Sequence, residues 1–271
     1  SNPIHDGMGR YARWMQRMLD AGLQGHAMSA WLLSVLGPAL VAWLVHWALL
    51  AWLGWPAAIL WSIVLLYPTL GFRQFSHHFT DIRDALDSGD ETRARELLAQ
   101  WKQVDASLLP RQEIVRHVIE HSVVAAHRHV FGVLAWFSVL AALGLGPAGA
   151  VLYRMSEFAS RLWRAGGVHR DGTPQASQPL SDLAAQAWYW IDWVPSRLTA
   201  LSFAVVGNFE EAIDCWRTHA QQFPDDNDGV VLAATSGAVN VRLGGEGLRA
   251  THALSDDDRM DSPSTPGREP E

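Results

Sequence analysis

The sequence has little of what marks several common classes of protein. It has one cysteine in 271 residues, Cys215, which excludes an internal disulfide and suits a reducing, cytoplasm-facing setting or indifference to redox state. It has no basic excess: the net charge is −7 and no basic stripe offers phosphate contacts, so nucleic acid is excluded as a partner. It begins with Ser1 rather than Met and shows no signal peptide, which suggests a fragment of a longer chain.

A long stretch near the start lacks charge altogether. Residues 30–53 contain no Asp, Glu, Lys or Arg, and about 24 residues are enough to cross a hydrocarbon core of roughly 30 Å. A second, shorter apolar run follows Gly54 at residues 55–70. Neither run has polar residues at helical spacing, as a buried helix of a soluble protein usually has. We therefore predict a transmembrane hairpin over residues 29–72, with a very hydrophobic soluble hairpin as the alternative.

Basic residues flank this hairpin on both sides. Residues 1–28 predict an amphipathic helix in which Arg10, Arg13 and Arg17 form the polar face, suited either to packing or to a membrane surface. Arginines recur after the hairpin, so the positive-inside bias places both flanks in the cytoplasm. The sequence thus predicts an all-α, multi-pass integral membrane protein whose partner is the lipid bilayer.

The most hydrophilic folded part of the chain, residues 73–129, predicts a cytoplasmic helical domain. Residues 81–86 and 92–101 are predicted as helices that break at Ser88, Gly89 and Asp90. Asp90 is the candidate N-cap of the second helix, because a short carboxylate side chain accepts a hydrogen bond from a free backbone N–H there.

Residues 130–245 predict a membrane-associated region with re-entrant or broken helices. The apolar run 130–153 is interrupted at residues 144–147, and a hairpin turning there would return the arginines that follow to the cytoplasm. A loop is expected at residues 166–181, where Gly, Pro, Ser and Gln predominate. The small residues of 229–245 favour close helix packing.

One apolar stretch of this region, residues 188–206, carries two charges. Asp192 and Arg197 would each cost about 2.5–3.5 kcal/mol at a bilayer centre, so they are expected to pair, face a cavity or lie at the interface. We expect Pro195 to break the helix and bring the two together, as a structural ion pair or a ligand site. The last segment, residues 246–271, predicts a disordered acidic tail.

Five segments spread over most of the chain resemble one family. They are NPIHDGMGRYARWMQRML at 2–19, ALDSGDETRARELLAQW at 85–101, GPAGAVLYR at 146–154, WVPSRLTAL at 193–201 and SGAVNVRLGG at 236–245. In this order and spacing they are similar to the CobD/CbiB family of cobalamin-biosynthesis membrane proteins. They are also similar to the related AmpE inner-membrane proteins, which are linked to β-lactamase induction. The resemblance implies a bacterial inner-membrane protein.

The resemblance also implies an activity and site residues. The family's amide synthase joins an aminopropanol phosphate to a corrinoid carboxylate, which implies Mg²⁺ and ATP as cofactors if that activity is retained. Glu120 and Asp192 become the candidate catalytic residues. A ligand-binding or structural motif falls on Arg154, Arg197, Asn227, Arg242 and Gly244.

The acidic positions of the family's pattern are largely replaced in this chain. Its Glu-Asn-Thr falls on 124–126 (Val-Ala-Ala), its Asp-Gly on Arg128 and His129, and its paired aspartates on Trp188 and Tyr189. Mg²⁺ needs oxygen ligands that these side chains do not supply. We therefore expect a degenerate active site without synthase activity. The alternative is an AmpE-like, non-catalytic sensor with a membrane or cell-wall-signalling protein as partner.

A zinc site is a further alternative. His117, Glu120 and His121 fit the pattern H-x-x-E-H. In this pattern two histidines one helical turn apart bind a metal, and the glutamate beside them acts as a general base. No supporting motif supplies a clear third ligand downstream, so we expect no metal here.

Overall fold

The structure of the chain is a computed structural model, and it describes residues 3–19, 24–70, 72–102, 110–164, 176–223, 226–241 and 243. All the helices and turns of these residues give an all-α protein, as predicted. The α-helices are α1 (Pro3–Leu19), α2 (Gln24–Leu53), α3 (Trp55–Thr69), α4 (Phe72–Asp87), α5 (Glu91–Lys102), α6 (Arg111–Ala126), α7 (Gly132–Ala142), α8 (Ala148–Leu162), α9 (Gln178–Val206), α10 (Phe209–His219) and α11 (Asp226–Val239). A π-helical turn, His127–Phe131, joins α6 to α7, and a 3-10 turn, Ala220–Gln222, follows α10.

Two segments of the described chain are long and apolar enough to cross a membrane, by length and composition. The first, Gly25–Leu53, belongs to the predicted hairpin, and α3 follows it as a shorter apolar helix of 15 residues. Gly54 turns the chain between them with φ of +83°, a conformation that glycine adopts without strain. The second segment, Arg111–Ala142, runs through α6, the π-helical turn and α7. It therefore overlaps the region 73–129 that was expected to be wholly cytoplasmic.

The described residues form two compact units. The first unit contains those of Ser1–Leu70 and Phe131–Pro195, and the second contains those of Gly71–Val130 and Ser196–Glu271. The predicted region 130–245 is therefore divided between the units at Pro195, and the second half of α9 packs with α10 and α11.

In the first unit, α2 packs against α1, α3 and α8, and α7 and α8 form a hairpin. The chain reverses between α7 and α8 at 144–147, the point where the sequence predicted a turn. A Cβ added at Gly149 would lie 2.0 Å from the carbonyl oxygen of Trp136, so the two helices approach more closely than any larger residue allows. The buried core between α1, α2, α8 and α9 contains Trp31, Ala159, Trp163 and Leu180.

In the second unit, α4, α5 and α6 surround one apolar core, and α10 and α11 pack together. The predicted break at residues 88–90 is confirmed, and Asp90 caps α5 by accepting a hydrogen bond from the backbone N–H of Arg93 at 2.9 Å. The small residues of α11 do pack closely: a Cβ added at Gly237 would lie 2.2 Å from the carbonyl oxygen of Glu211.

Two expectations for α9 are wrong. The loop predicted at 166–181 ends earlier, because α9 begins at Gln178, where the Ser177 hydroxyl accepts from the backbone N–H of Leu180. Pro195 does not break the helix but lies inside it. A proline removes the hydrogen bond to the carbonyl four residues earlier, here Ile191. That carbonyl instead accepts from Nε1 of Trp136 at 2.9 Å, so the helix continues with the group satisfied.

Candidate functional site

Among the residues that the structure describes, buried polar side chains collect in one cluster of the first unit and two clusters of the second. Polar groups removed from water need partners, so such clusters are where ligand chemistry or structural pairing is expected. Most of the candidate residues that the sequence singled out lie in one of them. Arg242 and Gly244 lie outside the described residues.

The cluster of the first unit joins α8 to α9. Tyr153 and Asp192 are fully buried, and the Tyr153 hydroxyl donates to Oδ1 of Asp192 at 2.7 Å. The next residue of α8, Arg154, donates to Oε2 of buried Glu157, about one turn further along, at 3.1 Å. Arg161 holds the same carboxylate with both Nε and NH2, at 2.7 and 3.0 Å. Glu157 is thus held by two guanidinium groups, an arrangement that neutralises a buried carboxylate.

The first cluster of the second unit lies on α6. Arg116, His117 and Glu120 are all buried, and Arg116 also pairs with Glu113. Nδ1 of His117 lies 3.6 Å from Oε2 of Glu120, and Nε of Arg116 lies 3.8 Å from its Oε1. Glu120 therefore lies between a guanidinium and an imidazole, at distances longer than a hydrogen bond.

The second cluster of this unit joins the π-helical turn, α9 and the start of α11. Nδ1 of His127 is 2.9 Å from Oγ1 of Thr199, and both residues are buried. NH2 of Arg128 donates to Oδ2 of Asp228 at 2.6 Å, and Nε donates to its Oδ1 at 3.3 Å. NH1 of Arg197 donates to Oδ1 of Asn227 at 2.9 Å.

The start of α11 explains why polar residues gather there. The first backbone N–H groups of a helix have no partner within the helix and carry partial positive charge. Asp226 and Asp228 in the first turn complement that charge, and Arg128 then neutralises Asp228. Arg197 and Asn227, which the sequence placed in one motif, do meet here. Asp192 accepts from Tyr153 and Arg197 donates to Asn227, while the pairing of Asp192 with Arg197 stays a prediction.

Several residues of these clusters were missed by sequence reasoning. Arg128 was noted only as a replacement for an acid, although it forms an ion pair across 100 residues of sequence. Thr199 and Tyr153 were not singled out either. The signal for Tyr153 was its place in the family-like string at 146–154, directly before Arg154.

The metal implied by the resemblance can be tested against the donor groups present. Among the described residues, no three His, Cys, Asp or Glu side chains lie together in a way that could hold a metal ion. The described donors thus do not fit a metal held by protein side chains alone. The zinc alternative at His117 and His121 meets the same difficulty, since the described part of the chain supplies no third ligand.

Cys215 lies in surroundings that disfavour its thiolate. It is buried on α10, and burial raises the pKa of its thiol, with further raising by the negative charges of Glu211 and Asp214. A raised pKa leaves little thiolate near neutral pH, and the thiolate is the reactive form.

Comparison with known proteins assigns the family. An all-α chain with apolar helices and paired buried charges defines only a broad class. A family model described as CobD/Cbib protein matches residues 3–269. The chain belongs to the CobD/Cbib family.

Two relatives from bacteria show the extent of this likeness. The cobalamin biosynthesis protein CobD of Stutzerimonas stutzeri is 34% identical over 227 residues, covering 84% of this chain and 69% of that protein. The protein of the same name from Chromobacterium violaceum is 31% identical over 245 residues, covering 88% and 74%. No solved structure matches.

Proposed function

We propose that this chain serves cobalamin biosynthesis as a membrane-embedded family member that does not itself form the amide bond of the family's synthase. The names of its relatives support the link to the pathway. The resemblance of five segments, spread from residue 2 to residue 245, supports the same link. The proposal that the active site is degenerate has a separate basis, the packing of the residues that replace the family's acids.

The proposal of a degenerate active site is supported by the residues that stand where the family pattern has acids. Val124 packs against the apolar core around Leu232 and Ala233, and Ala125 is buried. Trp188 is buried against Tyr153, with ring centroids 5.1 Å apart. A carboxylate at such a position would lose its hydration without gaining a partner. Val124, Ala125 and Trp188 thus serve packing in this protein, and they offer a cation no oxygen ligand.

Two of the remaining acids, Glu157 and Asp228, do not replace them. Glu157 is already held by Arg154 and Arg161, and Asp228 is held by Arg128. Each carboxylate thus has cationic partners from its own chain. Redirecting it to Mg²⁺ would break an ion pair and leave a guanidinium buried without its partner charge.

Complementation tests the proposal. A strain deleted for its synthase and fed cobyric acid is transformed with this chain or with the Stutzerimonas stutzeri relative, each carrying a tag. We expect the relative to restore cobalamin-dependent growth and this chain not to, although the tag shows equal amounts of both in the membrane fraction. Growth supported by this chain would overturn the degenerate-site proposal and make Glu120 and Asp192 the first residues to substitute.

The same proposal includes a location, the bacterial inner membrane, crossed more than once. It is supported by the uncharged first span, the apolar α3 and the arginines before and after them. In a Cys215→Ala background, Ser88→Cys should be labelled by an impermeant maleimide only after the cells are lysed. Trp55→Cys, at the exposed turn of the hairpin, should be labelled in intact cells. Rapid labelling of Ser88→Cys in intact cells would refute this topology.

A second candidate function is an AmpE-like, non-catalytic role in cell-wall or β-lactamase signalling. It is favoured by Asp192 directly before Trp193, Val194 and Pro195, a feature similar to the AmpE branch. The bond from Tyr153 keeps this aspartate buried as a structural element of the helix pair. Deleting the gene from its host should then change β-lactamase induction and leave cobalamin-dependent growth intact. The reverse outcome favours the first proposal.

A further inference from the structure

We propose that the outer face of α1, formed by Arg10, Trp14, Arg17 and Met18, binds the headgroups of anionic phospholipids. These residues are spaced by four, three and one along the helix and therefore share one side of it. All four are exposed: Trp14 retains 49% and Met18 66% of its accessible surface. The opposite side of α1 is buried through Ala12 and Met15.

The position of α1 brings this face to the beginning of the first candidate span. Ala12 packs in the core formed by Trp31, Val35 and Trp163. The Tyr11 hydroxyl donates to the carbonyl oxygen of Leu33 at 2.8 Å. α1 thus lies against the first turns of the uncharged helix, the part of a span that meets the headgroup region.

The charge of the first unit is opposite in sign to that of the whole protein. Its described residues include six arginines and four acidic residues, a net of +2, whereas the chain carries −7. Arg164 at the end of α8 is exposed, and Arg161 beside it is half-exposed while it holds Glu157. α8 shares the core that buries Ala12, so these cations lie at the same end of the unit as α1. Among the described acidic side chains of this unit, Asp182 on α9 is exposed to solvent, whereas Glu157 and Asp192 are buried.

Arginine and tryptophan on one helix face suit a lipid surface in complementary ways. Each arginine close to an anionic surface strengthens binding to that surface by roughly fivefold. The indole ring is amphipathic and prefers the headgroup level, and Met18 adds apolar area one turn along. Zwitterionic headgroups would satisfy Trp14 and Met18 but would leave the two guanidinium groups without a net opposite charge. The pattern therefore selects anionic lipid.

Fluorescence quenching by brominated lipids tests the inference. The chain, in the Cys215→Ala background, carries a bimane label at Trp14→Cys and is placed in nanodiscs of phosphatidylcholine and phosphatidylglycerol. Two sets of discs differ only in which lipid is brominated. We expect brominated phosphatidylglycerol to quench the label at least twofold more per molecule. Arg10→Gln together with Arg17→Gln should bring this ratio to one without changing the thermal stability.

Two control positions separate this inference from the proposed membrane location on which it rests. A label at Leu60→Cys, on the exposed and uncharged α3, should be quenched equally by either lipid, and a label at Ser88→Cys by neither. If Leu60→Cys is not quenched, the membrane location fails. If Leu60→Cys is quenched but Trp14→Cys resembles Ser88→Cys, or shows no preference between the lipids, the headgroup surface is refuted.

Discussion

Replacing Gly132 by alanine should destabilise the first unit strongly. A Cβ built at this position would lie 2.1 Å from both Cζ and the hydroxyl oxygen of Tyr153 and 2.6 Å from its Cε1. Tyr153 is fully buried between α7, α8 and α9, so its ring has no free space to enter. Movement of the ring would also draw its hydroxyl away from Asp192, which it now approaches to 2.7 Å.

The size of the effect follows from these two consequences. Forcing a methyl group into a packed core costs about 1–3 kcal/mol, and the lost hydrogen bond adds about 1 kcal/mol. We therefore expect Gly132→Ala to lower the free energy of unfolding by about 2–4 kcal/mol. At about 2–4 °C per kcal/mol for a chain of this size, the midpoint of thermal unfolding should fall by roughly 5–15 °C.

The assay is the fraction of detergent-solubilised protein that stays monodisperse after heating, followed by size-exclusion chromatography. Two glycines provide matched controls. Gly7→Ala, with nothing within 4 Å of the added Cβ, should be neutral or slightly stabilising. Gly149→Ala, whose Cβ meets the backbone of α7, should be as damaging as Gly132→Ala.

A second-site change identifies the cause. Tyr153→Leu removes the three atoms that the Cβ would meet, so Gly132→Ala should cost much less in that background, whereas Gly149→Ala should cost the same as before. If the cost of Gly132→Ala is unchanged by Tyr153→Leu, the steric reasoning is wrong.

Two further predictions concern the second unit. Arg128→Gln should destabilise this unit by about 1–3 kcal/mol in the same heating assay, because Asp228 is then half-buried without the guanidinium of Arg128. Adding Asp228→Asn should recover part of the lost stability. If the effects of the two substitutions simply add, the pairing is contradicted. Reaction of Cys215 with a disulfide reagent should have its pH midpoint above that of free cysteine, and Glu211→Gln should lower it. Because the pKa of Cys215 is raised in the folded state, its contribution to stability should be fully present below the ordinary thiol pKa. That contribution should be lost as the pH rises through the raised pKa of the folded protein.

The sequence was most informative where one kind of residue fills a whole segment. The uncharged run at 30–53 predicted α2, and the turn at Gly54 followed from a glycine between two apolar runs. The helix break at Ser88 and Gly89, with the cap at Asp90, followed from local hydrogen-bonding rules. These features depend on neighbours within about one helical turn, so a single sequence contains all that is needed to predict them.

The sites were harder to predict because their partners are distant in sequence. Tyr153 meets Asp192 across 39 residues and Arg197 meets Asn227 across 30. The pairing of Asp192 with Arg197 stays a prediction, drawn from residues five apart and an expected kink. Nothing local in the sequence shows that a tyrosine on α8 contacts Asp192 or that an asparagine on α11 contacts Arg197.

Pro195 shows the same limit for the backbone. A proline within a helix removes one hydrogen bond and exposes the carbonyl of Ile191, which on local grounds favours a break. The helix continues because Nε1 of Trp136, 55 residues earlier, donates to that carbonyl. Trp136 lies on α7, which approaches α8 closely because Gly149 has no side chain. The continuity of α9 therefore depends on contacts with another helix, and a rule that considers only the residues around Pro195 predicts the opposite.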